Sequence, residues 1–277
     1  MKRILIPSMA AAAAALALAW FGPAAIGFAV AQRGASGTPA PEETPAPGPV
    51  PRMADGHPDL SGVWWGGADV GGARGGGRGR GGRGAPAPTF TSLYQPSAAE
   101  KAAILNDKDD PTLKCIPTAF GTLNVRFWDV GAVGQIVSTP EFVVMLTETY
   151  HGFQLIPTDG RPHRDFVPPS YRGDSVGHWE DDTFVVETTN FTDDTWMSAE
   201  GRVSFHSDAL RIVERYRRVD ANTLEVEAIV EDPQVLTGPW TVPKQTLVLA
   251  PFDQIMPLDC VGSEGQAVME GAFDQNP

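Results

Sequence analysis

The sequence predicts a mainly β protein, an antiparallel barrel or a sandwich carrying one short N-terminal helix. Two observations carry that reading. Five stretches, Glu141–His151, Thr183–Phe191, Leu210–Arg218, Thr223–Val230 and Lys244–Ala250, alternate in period two and are rich in β-branched and aromatic residues. The intervening Asp159-Gly160, Glu180-Asp181-Asp182 and Asp220-Ala221-Asn222 supply turn chemistry, and short turns in sequence order favour meanders that close into a barrel or stack. The helix is expected at Ser97-Ala98-Ala99-Glu100, which has the form of a capping box, followed by Lys101 to Leu105 with Pro111 beyond its end.

The chain is 277 residues long, 42% hydrophobic and 20% charged, with a formal net charge of −13. Those values exclude a collagen, a coiled coil and a multi-span membrane protein, and a chain so acidic is repelled by nucleic acid and anionic lipid. Residues 1–31 read as a secretory signal: Lys2 and Arg3 precede an apolar stretch, and Ala29-Val30-Ala31 forms a small-x-small cleavage pattern; an uncleaved N-terminal anchor is the competing reading. Residues 32–58, rich in Pro, Ala and Gly, read as a tether, and 59–277 as a single β-rich domain. Within it, about 66–88 forms an Arg-Gly insertion without aromatic residues among its arginines, a flexible surface element rather than an RNA-binding one. The expected location is periplasmic or extracellular, with no membrane association after signal cleavage. In such a compartment the two cysteines, Cys115 and Cys260, are expected to form one disulfide.

Candidate chemistry comes from polar groups on apolar strand faces. Glu148 shares a period-two face with Phe142, Val144, Leu146 and Tyr150; Glu214 shares one with Leu210, Ile212 and Tyr216; Asn190 shares one with Phe184, Val186 and Thr188. A carboxylate on such a face needs a partner or a hydrated space, because its bare burial is costly. An ion pair with Arg161 or Arg126 is one answer and a polar barrel mouth is the other. His151, His163 and His206 lie near strand ends where a sheet could bring them to one rim; no zinc-binding spacing is present, and His57 belongs to the tether. Gly173-Asp174-Ser175-Val176-Gly177 matches G-x-S-x-G, but Pro168-Pro169 before it and a strand-like run after it do not make a nucleophile elbow. Trp179, Trp196 and Trp240 sit near turns or strand ends and offer flat faces for a ring-shaped ligand; core packing is the competing role for each.

Asp59-Leu60-Ser61-Gly62-Val63-Trp64, Thr158 to His163, Gly173 to Thr183, Thr188 to Phe191, His206-Ser207-Asp208, Glu214 to Asp220 and Gly238-Pro239-Trp240-Thr241 together resemble a family of exported, uncharacterised bacterial proteins. The resemblance covers roughly residues 55–262. It departs at Asp181-Asp182-Thr183, where the family has Gly-Asp-Thr, and in the Arg-Gly insertion. It implies export and domain limits and supplies no reaction.

Three functions follow. One is an exported enzyme of hydrolase or lyase type acting on a small neutral organic or sugar-like substrate. Its catalytic groups would be His163, His206, Glu148, Glu214 and Arg161, with Trp179, Trp196, Trp240, Asn190 and Tyr216 binding substrate. A divalent metal on His163 and His206 is the metal-assisted form of that reading. A second is a lipocalin-like small-molecule binding protein in which the same groups only hydrogen-bond the ligand. A structural envelope protein that meets partners through its acidic surface is a third. No cofactor other than that metal is implied, and the oligomeric state is left open.

Overall fold

A computed structural model describes residues 48–66, 88–119, 133–148, 152–197, 203–256 and 260. The signal segment 1–31, most of the tether, nearly all of the Arg-Gly insertion, Arg126, Trp128, Tyr150 and His151 lie outside the described residues.

Nine strands form one antiparallel sheet: β1 (Gly62–Trp65), β2 (Gly134–Ser138), β3 (Phe142–Thr147), β4 (Phe153–Pro157), β5 (Asp174–Glu180), β6 (Thr183–Thr189), β7 (Arg211–Asp220), β8 (Thr223–Glu231) and β9 (Trp240–Leu249). Their spatial order is β4-β3-β2-β1-β9-β8-β7-β6-β5, and the sheet curls into a nearly closed barrel. The odd strand number has a geometric consequence. Every neighbouring pair is antiparallel, so the first and last strands, β4 and β5, run the same way and cannot close an antiparallel ladder. Side chains bridge that seam instead. Gln154 Nε2 donates to the Arg172 carbonyl at 3.2 Å and to Ser175 Oγ at 3.1 Å, and Ser175 Oγ lies 2.9 Å from Thr188 Oγ1. One backbone bond, Gly160 N–H to the Gly177 carbonyl at 2.9 Å, adds to it.

Alternation decides what faces inward. On β7 the buried residues are Ile212, Glu214, Tyr216 and Arg218, while Arg211, Val213, Arg215 and Arg217 face outward. On β9 the phase slips. Val242 pairs with Ala228 and Gln245 with Val226, so one extra residue sits between them and Pro243 and Lys244 are both exposed. The bulge keeps Val242 and Gln245 both inside, and it lets Pro243 occupy a strand without breaking a ladder bond that the fold needs.

The barrel core divides into two apolar clusters. The lower one gathers Leu60, Trp64, Ile136, Met145, Phe184, Val186, Tyr216 and Leu224 among others. The upper one gathers Phe90, Phe191, Trp196, Leu210, Ile212, Ala228, Trp240 and Val242 among others. Helix α1 (Pro96–Ile104) and its flanking turns pack onto the upper cluster. Gln95 ties them down: its N–H donates to the Val235 carbonyl, and its amide donates to the carbonyls of Pro233 and Leu236. The helix begins one residue before the expected capping box. Gln95 is the N-cap and makes no side-chain cap bond, and Pro96 stands in the first turn, where a missing N–H costs nothing.

The tether reaches the fold earlier than its composition suggests. Ala221 N–H donates to the Gly48 carbonyl, Arg52 makes a two-point ion pair with Asp182 in the β5–β6 turn, and His57 stacks on Trp179 with ring centroids 4.7 Å apart. Arg218 donates to the carbonyls of Asp59 and Ser61, so residues 48–61 are fastened across the lower turns. A Cys115–Cys260 disulfide joins residues 145 apart in sequence, with Cα atoms separated by 5.6 Å. Among the described residues, no helix is long and apolar enough to cross a membrane.

Candidate functional site

Glu214 projects into the barrel and is 6% exposed. Strand register places it in one ring with Gly177, Val186, Ala228 and Val242, each directly opposite the next. These are small side chains. The ring lies at the level where the two apolar clusters part, with Ala228 and Val242 in the upper and Val186 in the lower. The Tyr216 hydroxyl donates to Glu214 Oε1 at 2.7 Å, both groups lying on the inner face two residues apart. Burial pushes the Glu214 carboxyl up to about 7, against a smaller opposing effect of the Tyr216 hydrogen bond. Burial, then the adjacent Glu214, raises the Tyr216 phenol well above its ordinary value, so it remains a donor. Near neutral pH this pair holds an exchangeable proton in an apolar surround.

The other expected catalytic groups lie elsewhere. His163, on the loop from β4 to β5, faces Asp174 Oδ2 at 3.1 Å and Glu187 Oε1 at 3.2 Å. Glu187 pairs in register with Val213, on the outward face of β6 and β7, so His163 lies against the outside of the wall whose inside carries Glu214. Arg211 ties Glu187 to Glu231, and Arg164 binds Asp174. Burial alone would raise the Asp174 carboxyl, but hydrogen bonds from Arg164 and His163 hold it below its ordinary value.

His206 is 1% exposed and packs edge-on against Phe191. Its Nδ1 donates to the Ser207 carbonyl at 2.8 Å, and its Nε2 accepts from the Thr195 hydroxyl at 2.6 Å. Burial lowers its proton affinity, which keeps the ring neutral and both nitrogens engaged. The imidazoles of His163 and His206 thus serve different partners. Among the described residues, no cluster of three or more His, Cys, Asp or Glu side chains is arranged to hold a metal ion.

Glu148 follows the end of β3 and accepts from the Met256 N–H at 2.8 Å. Its expected face was the wrong one for a barrel interior. Val143 and Met145 are fully buried, while Phe142, Val144 and Leu146 are half-buried on the outer side. Both faces of β3 are apolar, so alternation alone gave no direction. Arg161 is exposed and bound to Asp159.

Of the expected binding residues, Trp196 and Trp240 are core. Trp196 bridges to Phe205, and Trp240 donates its indole N–H to the Pro88 carbonyl and meets Phe90 edge-on. Trp179 lies at the lower end between His57 and Phe184. Asn190 adopts a left-handed conformation at the end of β6 and donates to the Val167 carbonyl. Only Tyr216 touches a candidate catalytic group. Ser175 of the G-x-S-x-G run is a seam residue within β5, bonded to Gln154 and Thr188, not an exposed nucleophile on a turn.

One polar group escaped sequence reading. Arg172 precedes β5, and its guanidinium lies against Gly152, where a Cβ would come within 2.0 Å of Nη2. Its contact with Thr147 Oγ1 is long, at 3.4 Å. Burial lowers its pKa to about 10. The available signal was a lone arginine beside a β-turn glycine, which is too common to single out.

Compared with family models, curated proteins and solved structures, the chain matches none.

Proposed function

We propose that the protein is an exported, small-molecule-binding β-barrel in which the Glu214–Tyr216 pair forms the polar end of the ligand site. The observation that carries this reading is Glu214 itself. It is a fully enclosed carboxyl that no basic side chain among the described residues neutralises, set in a ring of small residues. A lone buried carboxyl adds no stability that a well-packed apolar residue would not, so its presence there suits a group that meets a ligand. The seam between β4 and β5, held chiefly by side chains, is the natural route of entry. A disulfide in the fold and an N-terminal signal-like segment support export.

The test is titration of the purified, disulfide-intact protein with the neutral fluorophore N-phenyl-1-naphthylamine. One-to-one binding, weakened about tenfold or more in Glu214→Ala, supports the reading; a tenfold change corresponds to about 1.4 kcal/mol, the size of one hydrogen bond to a carboxyl. Binding that is absent, or indifferent to Glu214, overturns it.

A general acid/base enzyme is the second reading, favoured by one fact: the Glu214 carboxyl at about 7 is balanced between its two forms at neutral pH. A ligand recovered chemically changed after incubation, with the change lost in Glu214→Gln, would select it. Recovery unchanged selects the carrier.

A further inference from the structure

We infer that Arg172 is an anion-recognition point at the β4–β5 seam and that the ligand of the barrel is a small organic carboxylate. The inference rests on the binding reading above and adds the charge of the ligand. Arg172 differs from the other arginines of the barrel wall and its loops. Arg164, Arg211, Arg215 and Arg217 each bind a carboxylate, and Arg218 donates through both terminal nitrogens to three backbone carbonyls. Arg172 has neither. Among the described residues its guanidinium contacts one neutral oxygen, Thr147 Oγ1, at a distance too long for a good hydrogen bond. Thr149, Tyr150 and His151, between the described residues Glu148 and Gly152, bring no carboxylate in sequence. None of its nitrogens is buried without a partner, so its spare donors are open to an incoming anion rather than sealed in the wall.

The placement is built. The guanidinium fits only because residue 152 lacks a side chain: an added Cβ would come within 2.0 to 2.4 Å of Nη2, Cζ and Nε. The Arg172 carbonyl is itself fixed by Gln154, which also binds Ser175. Thr147 and Gln154 both belong to the inward faces of their strands, in register with Gly152 and Met145. The cation is therefore held at the inner rim of the seam that offers entry. A planar fork of donors matches a carboxylate in two-point geometry, leaving the rest of an organic acid to lie along the apolar interior. The net charge of −13 does not oppose this, because exposed charges are screened within about 8 Å at physiological ionic strength.

The experiment is calorimetric titration of the full chain with benzoate, its neutral isostere benzamide and inorganic phosphate at the same ionic strength. The expected result is benzoate binding at least tenfold tighter than benzamide or phosphate, with the preference for benzoate over benzamide lost in Arg172→Met and reduced in Gly152→Ala. Equal binding of benzoate and benzamide by the wild-type protein overturns the inference, and needs no variant to fold. Phosphate binding as tight as benzoate also overturns it, because the site then takes a bare oxyanion rather than an organic acid. If N-phenyl-1-naphthylamine binds while benzoate shows no preference, the inference fails and the small-molecule reading stands. If neither binds, both fail.

Discussion

Replacing Glu214 with glutamine should change how stability depends on pH, and by an amount the structure sets. In the unfolded chain the carboxyl titrates near its ordinary 4.5; in the barrel, burial raises it to about 7. Below pH 4.5 it is protonated in both states and contributes its full share. As pH rises, the unfolded chain ionises first while the folded one stays protonated, so stability falls by up to about 1.4 kcal/mol per pH unit through that window. The loss totals about 3 kcal/mol by pH 8 and then levels off, because above 7 both states are ionised. Glutamine never ionises, and its carbonyl can still accept from Tyr216. Urea denaturation of both proteins from pH 4.5 to 8, read by tryptophan fluorescence at fixed ionic strength, isolates the effect, since every other titrating group cancels in the difference. The stability of Glu214→Gln relative to wild type should climb by about 3 kcal/mol across that range, whatever constant offset the amide introduces. Parallel curves would refute the reasoning, and with it the claim that this carboxyl is enclosed without a cation.

Two further outcomes test the frame around the site. Cys115→Ser with Cys260→Ser opens a loop of 145 residues. Its loss should lower unfolding stability by about 5 kcal/mol on the chain-entropy model, seen as a fall in denaturant midpoint that dithiothreitol reproduces in the wild type. Gly177→Ala places a methyl 2.4 Å from the ring of Phe184 and 3.0 Å from Ile156, both fully buried. It should cost about 1–3 kcal/mol by overpacking, and a melting temperature equal to wild type would show that this level has room which the packing denies.

What could be read in the sequence follows from how far each residue's placement is local. The long strands β6, β7 and β8 announce themselves because each has one clearly apolar face, and the alternation in β7 already set Glu214 beside Tyr216 on that face. β9 was legible only from Lys244, because the bulge shifts the phase: Trp240 and Val242 belong to the buried set, yet no single period-two comb includes both them and Gln245. β2 and β4 are short, and Gly134 in β2 and Gly177 in β5 weaken the strand pattern where close packing needs them. His163 and Arg172 sit on the same loop between β4 and β5, and nothing in a loop's composition tells which side of a wall its side chains reach. The structure puts the histidine outside with Glu187 and turns the arginine toward the seam, a distinction made by tertiary path alone.

The strand that carries Glu214 also supplies the reason to single it out. Three of the outward arginines of β7 are matched: Arg211 with Glu187 and Glu231, Arg215 with Glu180, Arg217 with Glu225, which also takes Lys244. Such exposed pairs contribute little each, but they show that where β7 carries charge on the solvent side, the neighbouring strands answer it. On the inner side, Arg218 is answered by carbonyls at the lower end. Among the described residues, Glu214 receives one phenol hydrogen bond and no cation, and Arg172, at the seam, is the opposite case, a cation without an anion. If these two groups compensated each other, the barrel would have no unmet charge and no reason to take a polar ligand; no electrostatic effect of Arg172 contributes to the displaced Glu214 carboxyl. On the proposed binding reading, a polar ligand would meet these groups from the interior and the seam rather than at the well-paired outer wall.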